Sequence, residues 1–182
     1  MPADLWSWVE VWDAPSSRWK VVRRRFPADE FDRKLYGSDF ISWPFHRAGS
    51  NVVAFLAGVN NYHGCEVLGE SRGLPADCDW TGGCEVINEF EPAPDLHVHS
   101  VTDLYRGFQW HSWLLLSEVL AFDCEKELHI PGYRRTPGGE RVPAEGRDTT
   151  YREFLGARFF EHLEVLKSLG EPSYVRVVFC FN

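Results

Sequence analysis

Residues 174–181 read Tyr-Val-Arg-Val-Val-Phe-Cys-Phe, and this stretch decides the fold class. Nearly all of its residues are apolar or strong β-formers, which is typical of a strand at the centre of a sheet covered on both faces. Residues 5–12 alternate Trp6, Trp8 and Glu10 with apolar or small residues at a period of two, and a β-forming pattern resumes at residues 18–25 after a turn cluster. We therefore predict an N-terminal hairpin with the C-terminal strand beside it.

Three segments between the terminal strands predict helices. Residues 51–58 are mostly apolar and close on a glycine, and residues 113–122 are apolar nearly all round, as in a buried helix. Thr150 and Glu153 form a capping box ahead of apolar residues that continue at helical spacing to Leu166. The expected fold is α+β: a mostly antiparallel sheet that includes both terminal strands, packed by two or three helices, with long irregular loops.

Length and composition predict one domain over residues 1–182. With 44% hydrophobic residues, the chain can bury a full core. Residues at about 59–110 show little regular pattern and are expected to form a long irregular insertion. Residues at about 132–148 contain two prolines, four glycines and four arginines, so they are expected to form an exposed loop.

Charge and cysteine usage exclude several classes of function. The net charge of −8 disfavours duplex nucleic acid and membrane surfaces, which attract basic proteins. Apolar runs are too short to span a bilayer, and no signal peptide is seen. Five cysteines without a Cys-x-x-Cys pair indicate neither a disulfide framework nor a zinc ribbon, and no glycine-rich segment ends as a P-loop does. We therefore expect a cytoplasmic protein without a cofactor.

Aromatic residues are the most distinctive compositional feature. The chain has 8 tryptophans, and a domain this small can hardly bury every indole and satisfy each N–H group. Some indoles are therefore expected to line a pocket, where flat rings beside arginine suit planar anionic ligands. The alternative is that most of these rings are core. The positive patch of Arg18, Lys20 and residues 23–25 is either solvated, protective of a sheet edge, or a contact for an anionic ligand or a second subunit.

Several segments resemble a family of uncharacterised bacteriophage and prophage proteins. The matching stretches include residues 53–61, the Arg-Gly-Leu-Pro at 72–75, the His-Ser-Trp-Leu at 111–114 and the C-terminal strand to residue 182. Members often begin Met-Gly-Cys-Asp-Ile-His, whereas this chain has Pro2-Ala3 and Trp6 at the corresponding positions, so no role of that Cys or His can be transferred. The resemblance implies a phage-type accessory protein that acts on host physiology or immunity, in the host cytoplasm.

The favoured hypothesis is a counter-defence type of binding protein that captures a small planar anionic ligand, such as a nucleotide signal. Its expected ligand-binding residues supply rings for stacking, a guanidinium for phosphate and an imidazole for hydrogen bonding: Tyr62, Arg72, Trp110, His111 and Trp113. One alternative is a metal-assisted hydrolase, with His97, His99, Asp103 and His111 as ligands. Another is a module that binds a host protein, and a homo-oligomer is also compatible with the sequence. No catalytic residue is identified.

Overall fold

A computed structural model of the protein describes residues 5–23, 25–47, 49–89 and 98–181. Eight strands lie in these ranges: β1 Leu5–Asp13, β2 Arg18–Val22, β3 Phe26–Pro27, β4 Phe40–Ile41, β5 Gln109–Leu115, β6 Glu127–Arg135, β7 Arg141–Thr150 and β8 Val175–Phe181. Seven helices accompany them: α1 Glu30–Tyr36, α2 Ser50–Ala57, α3 Trp80–Ile87, α4 Val101–Gly107, α5 Leu116–Leu120, α6 Tyr151–Leu155 and α7 Ala157–Lys167. A 3-10 turn at Pro172–Tyr174 precedes the last strand.

The main sheet is antiparallel, with four strands in the order β2-β1-β8-β5. The C-terminal strand lies between the N-terminal hairpin and β5, and all seven of its residues are buried. The predicted α+β class and the place of both terminal strands are confirmed. Both faces of β8 are largely apolar and must be buried. The strand therefore lies at the centre of the sheet, where both faces are covered.

Helices cover the two faces of this sheet. On one face, Leu5 and Val9 of β1 join alternate residues of β8 in a core with the apolar sides of α2, α6 and α7. On the other face, Trp6 and Trp8 pack with Val86 of α3 and with α4. The period-two alternation of β1 therefore sorts its side chains between two cores.

Residues 132–148, for which the sequence predicts an exposed loop, belong instead to the β6–β7 hairpin. The hairpin is largely exposed, but its backbone pairs from Glu127↔Thr150 to Arg135↔Arg141. The loop prediction is wrong because Gly132 and Gly146 mark a close backbone approach at a bulge rather than a loop. A Cβ on Gly132 would lie 1.8 Å from the Glu145 carbonyl oxygen, and one on Gly146 would lie 2.5 Å from His129 Nε2.

Two predicted helices also differ from the structure. Residues 113–122 begin as strand β5, because Trp113 and Leu114 pair with β8, and only then turn into α5. A short apolar run does not by itself distinguish a buried strand from a helix. The helix capped by Thr150 forms as predicted, but it is interrupted at Gly156, whose φ of 79° is incompatible with a continuous helix.

The expected irregular insertion at 59–110 is only partly irregular. Residues 58–79 have no helix or strand, whereas α3 and α4 are regular and residues 90–97 lie outside the described ranges. Both helices begin at a carboxylate or hydroxyl cap, Asp79 for α3 and Ser100 for α4. No helix in the described part of the chain is long and apolar enough to cross a membrane.

The contact between α3 and the sheet predicts a large effect of one methyl group. A Cβ on Gly83 would lie 2.7 Å from the buried Trp8 ring, so Gly83→Ala should lower the free energy of unfolding by about 1–3 kcal/mol through overpacking. Urea denaturation measures this loss. The control is Gly138→Ala, where the nearest contact is an ordinary 3.8 Å. Equal stability of the two variants would show that α3 does not pack this closely.

Burial of His162 predicts acid sensitivity. Its Nδ1 accepts a hydrogen bond from the Phe45 N–H at 2.8 Å, its Nε2 faces the Pro27 carbonyl at 3.1 Å, and burial lowers its pKa to about 4. Because the unfolded histidine has the higher pKa, the unfolded state binds more protons below about pH 6.5, so stability falls as pH falls from 7 towards 4.

By pH 5 this histidine alone should cost about 2 kcal/mol. Urea denaturation at pH 7 and pH 5 tests the prediction with His162→Gln as the comparison. The variant should be less stable at pH 7 but lose less between the two pH values, and an unchanged loss would contradict the prediction.

Candidate functional site

A row of large side chains follows one face of β1 at a period of two: Trp6, Trp8, Glu10 and Trp12. The first two indoles are buried beneath α3 and α4, at 7% and 0% exposure. Trp12 lies beyond this cover and is only half-buried, with its ring at 5.6 Å from that of Trp19 on β2. The uncovered end of this sheet face is therefore rich in indole surface.

Two adjoining cavities open at this end of the sheet. The first, which we name the indole cleft, has a volume of about 500 Å³ and is lined by Trp19, Arg72, Leu74, Pro75, Ala76, Asp77, Trp113, Leu115, Ser173 and Arg176. The second, which we name the Arg18 cavity, measures about 490 Å³ and is lined by Trp12, Ser17, Arg18, Trp19, Asp77, Cys78, Asp79, Trp80 and Thr81. Trp19 and Asp77 line both cavities, so the two cavities adjoin each other.

Arg176 is the central group of the indole cleft. It is a charged residue in an otherwise apolar strand, it lies opposite Glu10 across the β1–β8 pairing, and it is only 3% exposed. Its Nε donates to Glu10 at 2.7 Å and its Nη1 donates to Asp77 at 2.8 Å. Its Nη2 has no hydrogen-bond partner among the described residues and no significant exposed surface. A buried unsatisfied donor is costly, so this atom is a site at which an acceptor would bind favourably.

Indoles and guanidinium groups alternate around the cleft. The Arg176 guanidinium carbon lies 4.0 Å from the Trp19 ring centroid and 5.8 Å from that of Trp113. The Arg72 guanidinium carbon lies 5.0 Å from the Trp113 ring centroid. Each separation is within the range of a cation–π interaction. Of these three separations, the one between the Arg176 guanidinium carbon and the Trp113 ring centroid is the widest.

Arg72 is already neutralised by a carboxylate. Its two terminal nitrogens donate to the two oxygens of Glu118 at 2.8 and 2.6 Å, which is the bidentate geometry of a strong ion pair. This pairing raises the pKa of Arg72 and lowers that of Glu118. Glu118 also accepts from the Leu115 N–H at 2.8 Å, which supplies a cap for α5 although Leu115 has no capping side chain. An anionic ligand would have to compete with Glu118 for Arg72.

The cation of the Arg18 cavity differs from Arg72 and Arg176, each of which is paired with a carboxylate. Arg18 is exposed and forms no ion pair with any residue in the described ranges, whereas Lys20 pairs with Asp13 and Arg23 pairs with Glu85. The carboxylate of Asp79, which lines the same cavity, accepts from the Gly82 and Val21 N–H groups at 3.1 Å each and so acts structurally. Arg18 thus remains open to an anion within the part of the chain that the structure describes.

The structure brings two of the five predicted ligand-binding residues together. Arg72 and Trp113 both line the indole cleft. Tyr62 is 65% exposed and donates to Asn60, and Trp110 is 58% exposed in a bulge of β5, so neither lines the cleft. His111 is buried against the Tyr105 ring at 4.4 Å, and burial lowers its pKa.

The residues of the hydrolase alternative do not form a metal site in the part of the chain that is described. His97 lies outside the described residues. Asp103 accepts from the His99 backbone N–H at 3.3 Å, and His111 packs against Tyr105 instead. Within the described ranges, no three His, Cys, Asp or Glu side chains gather in a way that could hold a metal ion.

Sequence reasoning missed Arg176, Trp19 and Asp77. A signal for Arg176 was present, because Glu10 and Arg176 are single charges within two apolar strands that were predicted to be neighbours. Charges of opposite sign in such positions are expected to pair. Asp77 gave no comparable signal, since it lies in an irregular segment whose path only the folded chain defines.

The contribution of the buried Glu10–Arg176 pair to the stability of the protein can be tested by substitution. Arg176→Met leaves Glu10 without its cation, although Glu10 keeps hydrogen bonds from Trp8 Nε1 and the Asp79 N–H. The free energy of unfolding should fall by about 3–5 kcal/mol, and adding Glu10→Gln should restore part of it. Urea denaturation of the single and double variants measures both effects. A loss under about 1 kcal/mol in the single variant would contradict a buried, paired Arg176.

No protein-family model matches this chain, and the comparisons with curated proteins and with solved structures found no match. The resemblance to the phage and prophage family stays a prediction.

Proposed function

We propose that the protein binds a small planar anionic ligand, such as a nucleotide, with its ring in the indole cleft and its anionic group in the Arg18 cavity. The observation that carries this proposal is the Nη2 of the buried Arg176, which has no partner among the described residues, in a cavity walled by Trp19 and Trp113. A ligand ring with an acceptor atom would satisfy this donor while it stacks on the indoles. Stacking of this kind contributes about 1–3 kcal/mol for each base.

The gap between Arg176 and Trp113 is the proposed entrance for the ring. Trp113 is half-buried on β5, which is an edge strand of the main sheet, so its side chain is less constrained than the fully buried indoles. Outward movement of Trp113 exposes Nη2 to the ligand. It also increases the distance of 5.8 Å between the Arg176 guanidinium carbon and the Trp113 ring centroid. Binding therefore changes the surroundings of an indole, and tryptophan fluorescence should report it.

Asp77 offers an acceptor beside this donor. One of its oxygens accepts from Arg176 Nη1, while its side chain is 64% exposed and lines both cavities. An N–H group on the edge of a nucleobase can donate to this carboxylate while a ring acceptor meets Arg176. Such a donor and acceptor pair favours a heteroaromatic ligand over a hydrocarbon ring, which would leave Nη2 unsatisfied.

The test is titration of the full chain with nucleosides and mononucleotides, followed by tryptophan fluorescence and melting temperature. Trp19→Leu and Trp113→Leu should each weaken binding about tenfold or more, because each removes a stacking surface. The control is Trp110→Leu, which removes an exposed indole outside the cleft.

Two results would overturn the proposal. One is no fluorescence or melting shift with any compound of the panel. The other is a loss of binding in Trp110→Leu as large as in Trp19→Leu, which would favour the residues chosen from sequence. In the phage setting that the resemblance implies, such a protein would withdraw a nucleotide signal from the host.

A further inference from the structure

We infer that the ligand of the indole cleft carries one phosphate, so that a nucleoside monophosphate is preferred to the corresponding di- or triphosphate. This inference rests on the proposed function and specifies its ligand class. It follows from how the arginines of the two cavities are paired.

Counted together with the carboxylates that bind their arginines, the two cavities have a net negative charge. Their cations are Arg18, Arg72 and Arg176. Four carboxylates line the cavities or bind these cations: Glu10, Asp77, Asp79 and Glu118. Three positive and four negative charges give a net charge of −1. A polyphosphate needs several cations at close range, or a bound metal, to offset its own charge.

Only one of the three arginines is free for a phosphate. Arg176 holds Glu10 and Asp77, and its remaining Nη2 faces the ring site of the proposal. Arg72 is held by both oxygens of Glu118. Arg18 alone lacks a carboxylate partner among the described residues, and its exposed guanidinium can form a bidentate contact with one phosphate.

The walls of the Arg18 cavity disfavour a longer phosphate chain. Asp77 and Asp79 both line this cavity with Arg18, so a second or third phosphate would approach carboxylates without gaining a further cation. Like charges that line the same cavity repel one another. The cavity therefore attracts the first phosphate and repels the next.

The experiment compares adenosine, AMP, ADP and ATP, and the guanosine series in parallel, by tryptophan fluorescence titration of the full chain at one ionic strength without divalent cations. AMP should bind about tenfold more tightly than adenosine, and ATP at least threefold more weakly than AMP. In Arg18→Gln, the nucleoside and its monophosphate should bind alike. Arg141→Gln, which alters an exposed arginine on the β6–β7 hairpin, is the matched control for net charge.

Asp77→Asn provides a second test that does not depend on absolute affinity. The amide oxygen can still accept from Arg176, but one negative charge is removed, so the affinity ratio of ATP to AMP should rise at least threefold. Tighter binding of ATP than AMP by the natural sequence would overturn this inference while leaving the proposed function standing. Absence of binding by the whole panel would overturn the proposed function itself.

Discussion

The pairing of Glu10 with Arg176 at the centre of the main sheet is the constraint on which the rest of this structure depends. The two residues lie opposite each other on the two central strands, and both are almost fully buried. Because neither charge can be buried alone, β1 and β8 must pair in the register that joins them. The same register places three indoles of β1 on one face and its aliphatic side chains on the other.

This ion pair also decides where the apolar cover of the sheet ends. Helices α3 and α4 bury Trp6 and Trp8, but the charged pair interrupts the apolar face beyond them. Trp12, Trp19 and Trp113 are left half-buried, and the last two flank a guanidinium with one donor that has no partner among the described residues. The indole cleft is thus a consequence of the folding constraint, with Arg176 on a central strand and Trp19 and Trp113 on the two edge strands.

A comparison of predicted and observed elements shows which features of the fold local sequence patterns can predict. The central strand, the N-terminal hairpin and the Thr150 cap are local patterns backed by strong propensities, and they form as predicted. The β6–β7 hairpin does not follow its composition, because Gly132 and Gly146 are required by contacts between two strands rather than by turns. Trp113 and Leu114 likewise become a strand because β8 has an unpaired edge for them. In the candidate site, Arg72 and Trp113 were predicted, whereas Trp110 and His111 were grouped with them only by closeness in sequence.

The sequence by itself determined the fold class, the two terminal strands and an excess of indoles beyond what a core of this size can hold. These are properties of composition and of local period, which each segment carries without its neighbours. Only the tertiary structure decided which indoles form a cleft, which arginine is neutralised and which remains open to a ligand. Those outcomes depend on pairs such as Arg72 with Glu118, 46 residues apart in the chain, and Arg176 with Glu10, 166 apart. The physical reason is that an ion pair acts over a few ångströms in space, and distance along the chain does not fix distance in the fold.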